Sequence, residues 1–75
     1  MFIEKAYAKR DSLSDRDLGR LADALRDQVD RYAIAIENYP PERMERHGTP
    51  FLQHLQGRLD EVNSLIARRV KDAGT

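Results

Sequence analysis

The sequence predicts an all-α fold: an antiparallel helical hairpin of two long amphipathic helices, at about 14–38 and 50–72, with a short N-terminal helix or arm. Apolar residues recur every three or four positions through both long segments, as they do on the core-facing stripe of a helix. Between them lies a segment rich in proline and glycine, which favours a turn. We expect one small domain over residues 1–75, completed into a helical bundle by dimerisation.

The N-terminal segment, residues 1–12, allows two interpretations. Phe2, Ile3, Ala6 and Tyr7 would lie close together on a helix, whereas an alternation of apolar and basic residues would suit a strand. A lone strand would have no partner to pair with in this chain. We therefore expect a short helix that packs across the hairpin.

The first long helix has a strong start signal. With Ser14 as the N-cap, Asp17 occupies the third helical position, which is an aspartate version of the capping box. Leu13, just before the cap, can then contact Leu18 as a hydrophobic staple. We expect this helix to end near residue 38, because the residue before Pro40 disfavours the α conformation.

The segment 39–49 is interpreted as a corner between the two helices. Thr49 is then the N-cap of the second helix, and Pro50 takes the first helical position, where its missing N–H costs nothing. This helix should run to residue 72 or 73. Its predicted apolar stripe consists of Phe51, Leu52, Leu55, Leu59, Val62, Leu65, Ile66 and Val70.

Composition restricts the possible functions. Thirteen basic and thirteen acidic residues give a net charge of zero, so no global field attracts the protein to nucleic acid or an anionic membrane. The longest apolar run, residues 32–36, is far too short to span a bilayer. Cysteine is absent, and the residues after Met1 include no apolar stretch of signal-peptide length, so we do not expect export by that route. We therefore expect a cytoplasmic protein without a membrane partner.

No pattern of residues indicates enzyme chemistry. The chain has no glycine-rich phosphate loop and no G-x-S-x-G motif, and the absence of cysteine excludes a thiol nucleophile. His47 and His54 lack any recognised metal-ligand spacing, and we expect them to be surface or boundary residues. The sequence predicts a protein that is not an enzyme, with no cofactor, no metal and no small-molecule substrate.

One apolar residue does not fit the amphipathic pattern. Ile34 lies about 160° around the first helix from Leu18, on its charged side, which indicates contacts on two sides. Either the N-terminal segment folds back over Ile34, or the residue belongs to a protein-binding surface. For the second case the predicted partner-binding residues are Phe2, Ile3, Tyr7, Tyr32, Ile34 and Tyr39.

The sequence thus favours a small protein-binding module that acts by stoichiometric, helix-mediated association. The partner would be a second copy, giving a homodimer, or another protein, for which this chain would act as an adaptor, small chaperone, antitoxin or inhibitor. The alternative is a small regulatory protein that binds nucleic acid through its basic residues. Its predicted contacts are Arg68, Arg69 and Lys71.

Overall fold

The computed structural model describes residues 3–73, and every regular element within this range is helical. A hairpin of two long helices is present, as predicted, so the predicted fold class is confirmed. Before the hairpin come helix α1 (Ile3–Ala8) and a 3-10 turn (Arg10–Ser12). The hairpin itself consists of α2 (Asp15–Ala35), α3 (Pro41–Arg43), a π-helical stretch (Met44–Gly48) and α4 (Thr49–Ala73).

Helix α2 begins where its sequence signal places it. The Ser14 hydroxyl accepts a hydrogen bond of 3.1 Å from the backbone N–H of Asp17, so the predicted N-cap is confirmed. Leu13 packs against the core cluster that contains Leu18. The helix ends at Ala35, slightly earlier than predicted, and residues 36–38 form a turn.

The corner is shorter than predicted, because helical structure resumes at Pro41 and continues without a break to the end of α4. Thr49 has α-helical backbone angles, φ −62° and ψ −47°, so its predicted role as an N-cap is wrong. Its N–H donates to the carbonyl of Met44, five residues back. Pro50 lacks an N–H, and its ring crowds the carbonyl four residues before it. The wider π-helical turn accommodates this proline inside a continuous helix.

Gly48 allows the two arms of the hairpin to approach closely at the corner. It is buried, and a Cβ there would lie 2.7 Å from Met44 Sδ and 3.3 Å from Ile36 Cδ1. Ile36 is only 3% exposed and caps the C-terminal end of α2. Ile36 and Gly48 are therefore close neighbours at the corner, with no room between them for a further side chain.

The main core lies towards the other, open end of the hairpin. Helix α1 packs there against both long helices, which confirms the expected short helix across the hairpin. The cluster of buried side chains consists of Ala6, Leu18, Leu21, Ala22, Leu25 and Val62. Because α1 has only six residues, it covers only part of the hairpin's length. The molecule is elongated, with dimensions of 49 × 23 × 17 Å.

Candidate protein-binding surface

Polar contacts hold α1 on α4. The hydroxyl of Tyr7 donates to Glu61 Oε2, and Arg10 Nη2 and Nε donate to Glu61 Oε1 at 2.6 and 3.0 Å. Nearer the start of α1, Arg58 Nη1 lies 2.9 Å from Glu4 Oε1. Two guanidinium groups also lie near the Tyr7 ring, with the carbon of Arg10 at 4.4 Å and that of Arg58 at 4.7 Å from the ring centre. These contacts fix the position of α1 along the hairpin.

The network changes the acidity of its two central groups. Hydrogen bonds from the Tyr7 hydroxyl and then from Arg10 lower the pKa of Glu61 below its ordinary value of 4.5. The hydrogen bond to Glu61, followed by burial, raises the pKa of Tyr7 above 10.0. The folded state thus favours an ionised Glu61 beside a neutral Tyr7.

Acidification should weaken the fold through Glu61. A carboxylate whose pKa is lowered by folding contributes its full stabilisation above its unfolded-state pKa, near 4.5, and loses it as the pH falls through the lower folded value. We expect the free energy of unfolding to fall more steeply below pH 4.5 in the wild type than in Glu61→Gln. Urea unfolding at several pH values measures this difference. Glu45→Gln, at an exposed position near the corner, is the control, and equal slopes for all three proteins would contradict the prediction.

The surface beside α1 continues towards the corner without cover from α1. On α4, Arg58 and Glu61 contact α1, and Phe51 and His54 follow on the same side at helical spacing. On α2, the equivalent stripe runs from the buried Leu21 and Leu25 to Gln28, Tyr32 and Ala35. Helical spacing places the two stripes on the same side of the hairpin, and we call the space between them the channel. The observed contacts of α1 lie only in the half of the channel near the open end.

An aromatic cluster forms the uncovered half of this channel. The rings of Tyr32 and Phe51 meet edge to face with centroids 4.9 Å apart, and the Phe51 and His54 rings are 6.0 Å apart. The Tyr32 hydroxyl donates to the backbone carbonyl of His47, at 3.3 Å, within the π-helical stretch. Phe51 remains 47% exposed. We call this surface the corner groove; it is lined by Tyr32, Arg46, His47, Pro50, Phe51 and His54.

The predicted partner-binding residues do not form one surface. Ile3 and Tyr7 pack against the core, and Phe2 lies outside the described residues. Tyr32 lies in the corner groove. Ile34 is 69% exposed on the outer side of α2, so α1 does not fold back over it.

Tyr39, the last residue predicted for the partner surface, lies at the turn. The guanidinium of Arg43 is 4.2 Å from the centre of its ring, and the residue is half-buried. Phe51 and His54 were not predicted as binding residues. The sequence does not distinguish Phe51 from a core residue, because it continues the apolar stripe of its helix. It is uncovered only because α1 is short.

The basic residues near the C-terminus have different roles from one another. Arg69 is bound within the chain, where it donates to the carbonyls of Leu13 at 2.6 Å and Asp11 at 3.0 Å, and to Asp15 Oδ1 at 3.0 Å. Arg68 and Lys71 are exposed. The three predicted nucleic-acid contacts are therefore not one free cationic surface.

A second apolar cleft lies at the open end of the hairpin. Its volume is about 240 Å³, and Val70, beside it, is 67% exposed. The cleft is lined by Asp15, Leu18, Ile66, Arg69, Val70 and Ala73. Arg69 lines this cleft and also hydrogen-bonds the segment between α1 and α2, so the cleft lies where parts of the chain are joined to each other. We therefore do not include it in the candidate protein-binding surface.

Residues 3–73 contain neither a metal-binding cluster nor a membrane-spanning helix. No group of three or more histidine, aspartate or glutamate side chains within this range is arranged to hold a metal ion. Nor does this part of the chain contain a helix with the length and apolar character needed to cross a bilayer.

No protein-family model matches the chain, and no curated protein or solved structure is significantly similar to it.

Proposed function

We propose that this protein is a cytoplasmic protein-binding module that acts by stoichiometric association and without catalysis. The observation that carries the proposal is the incomplete cover of the hairpin. Helix α1 covers one side of the hairpin towards the open end, while on the same side the half near the corner keeps Phe51 of α4 exposed. Ile34 is a second exposed apolar residue of this half, on the outer side of α2. We call this part of the hairpin, residues 26–56, the corner half.

The chemistry of the corner half suits protein recognition. Phe51 and Tyr32 are aromatic groups already held in place by their mutual contact, so their binding to a partner would cost little conformational entropy. Full burial of an exposed phenylalanine side chain contributes roughly 1.5–3 kcal/mol, and Phe51, which is 47% exposed, would contribute about half of that on binding. Arg46 and His47 supply a polar rim beside this apolar centre, the arrangement typical of protein–protein interfaces.

A comparison of immobilised variants tests the proposal. Wild type, Phe51→Glu, Ile34→Glu and Val70→Glu would be exposed to a soluble extract of the source cell, supplemented with labelled copies of this chain. We expect the wild type and Val70→Glu, the matched control at the open end, to retain one protein in about equimolar amount. At least one corner variant should reduce that retention by about tenfold or more.

The proposal fails if the corner variants and the wild type retain the same proteins in the same amounts. Circular dichroism of each variant is needed beside this comparison. Because both corner residues are exposed, the glutamate substitutions should leave the helix content unchanged.

A further inference from the structure

We infer that the partner of the corner groove is a second copy of this chain, docked groove to groove in an antiparallel arrangement about a two-fold axis. This inference rests on the proposed function and names its partner. Tyr32 and Phe51 of each copy would lie nearest the axis, facing the same residues of the other copy, as an isologous interface requires.

Helix α1 determines how far two copies can overlap. It fills the channel beside Leu21, Leu25 and Arg58, so a second hairpin can enter only the uncovered part. In an antiparallel pair, the corner half of each copy lies on the corner half of the other, and each corner ends against the partner's α1. Four helices then surround the aromatic residues, as in a short four-helix bundle.

The surface area of the chain matches the needs of such a dimer. A monomeric protein of 8.7 kDa is expected to expose about 4,700 Å², whereas this chain exposes 5593 Å². The excess of roughly 900 Å² is close to the approximately 800 Å² that each partner contributes to a stable interface of standard size. This excess belongs to the whole elongated chain, and a groove-to-groove dimer would cover the part of it that lies in the corner half.

The charges do not oppose this association. The chain carries thirteen basic and thirteen acidic residues, so two copies have no net long-range repulsion. At the rim of the groove, Arg46 is paired with Glu42 at 3.2 Å. A rim cation that has an ion-pair partner in its own helix repels the same cation in the other copy less than an unpaired cation would.

Sedimentation equilibrium with a substituted groove is the first measurement. We expect a monomer–dimer equilibrium that Phe51→Glu weakens by about 30-fold or more, the effect of removing an interface hot spot. Val70→Glu should leave the equilibrium unchanged. Small-angle scattering of the dimer should give a maximum dimension of about 80 Å, because the 49 Å copies overlap only in their corner halves.

Cross-linking then identifies the face without disturbing Phe51. The chain has no cysteine, so single cysteines can be introduced at Ala35, on the groove side of α2, or at Ala33, about 160° away around the same helix. Both alanines are exposed and make a matched pair. A short bis-maleimide should join Ala35→Cys chains at least about tenfold more efficiently than Ala33→Cys chains, since only Ala35 lies near the partner copy.

The possible contrary results overturn different parts of the proposal. A wild type that stays monomeric up to about 1 mM overturns the second copy as partner, while the proposed function still depends on the retention experiment. A dimer that Ile34→Glu abolishes and Phe51→Glu does not would place the interface on the outer side of α2. That result, or preferential cross-linking at Ala33, overturns the groove-to-groove arrangement but supports a protein-binding role.

Discussion

Ile36→Ala is expected to lower the free energy of unfolding by about 2–5 kcal/mol, whereas Ile34→Ala should change it by less than about 0.5 kcal/mol. The two isoleucines are two positions apart at the end of α2, but Ile36 is 3% exposed and Ile34 is 69% exposed. Truncation of Ile36 removes its contact with Gly48 and leaves a cavity at the corner. A chain of this length is typically stable by about 4–11 kcal/mol, so the loss would be a large part of the total.

Urea unfolding followed by far-UV circular dichroism measures both variants under identical conditions. Because both substitutions delete the same atoms, their difference mainly reports burial. The helix-propensity gain of alanine, about a few tenths of a kcal/mol, applies only to Ile34, which lies inside α2, whereas Ile36 is the C-cap. Equal losses for the two variants would mean that Ile34 is covered, either within the chain or by a second copy. Repeating the measurement over a range of protein concentrations separates these cases, since only association makes stability concentration-dependent.

Local signals in the sequence were sufficient for the fold class and for the start of α2. The Ser14 cap depends on two residues that are only three positions apart, so the local sequence is enough to determine it. Pro50 was different, because a proline is compatible both with the first turn of a helix and with a distorted helix interior. The choice depends on packing at the corner, where Gly48 meets Ile36, and no local pattern contains that contact.

The candidate surface was less predictable, for a related reason. The charged neighbours of Ile34 placed it on the outer side of its helix, but the sequence left open whether the N-terminal segment covers it, and the structure leaves it 69% exposed. Phe51 could not be distinguished from the core residues of its stripe until the length and position of α1 were known. That position depends on contacts between Tyr7 and Glu61, which are 54 residues apart in the sequence.

Arg69→Met should lower the free energy of unfolding by about 1.5–3 kcal/mol, the range for hydrogen bonds that involve a charged group. The side chain of Arg69 is 28% exposed, and its guanidinium joins the end of α4 to the segment between α1 and α2 through the carbonyls of Leu13 and Asp11. Its contact with Asp15, whose side chain is 87% exposed, should contribute little of this effect.

Arg68→Met is the matched control, because it removes the same side chain from an exposed position one residue earlier, and it should change stability by less than about 0.5 kcal/mol. Arg69→Lys should recover only part of the loss, since an ammonium group keeps the charge but lacks the planar fork that reaches two carbonyls at once. Chemical denaturation of the three variants measures these differences. If Arg68→Met and Arg69→Met are equally stable, Arg69 does not hold the connecting segment, and its guanidinium would again be free for an anionic partner such as nucleic acid. Because that binding would be salt-dependent, a titration with generic DNA at low and high salt would then separate the two roles.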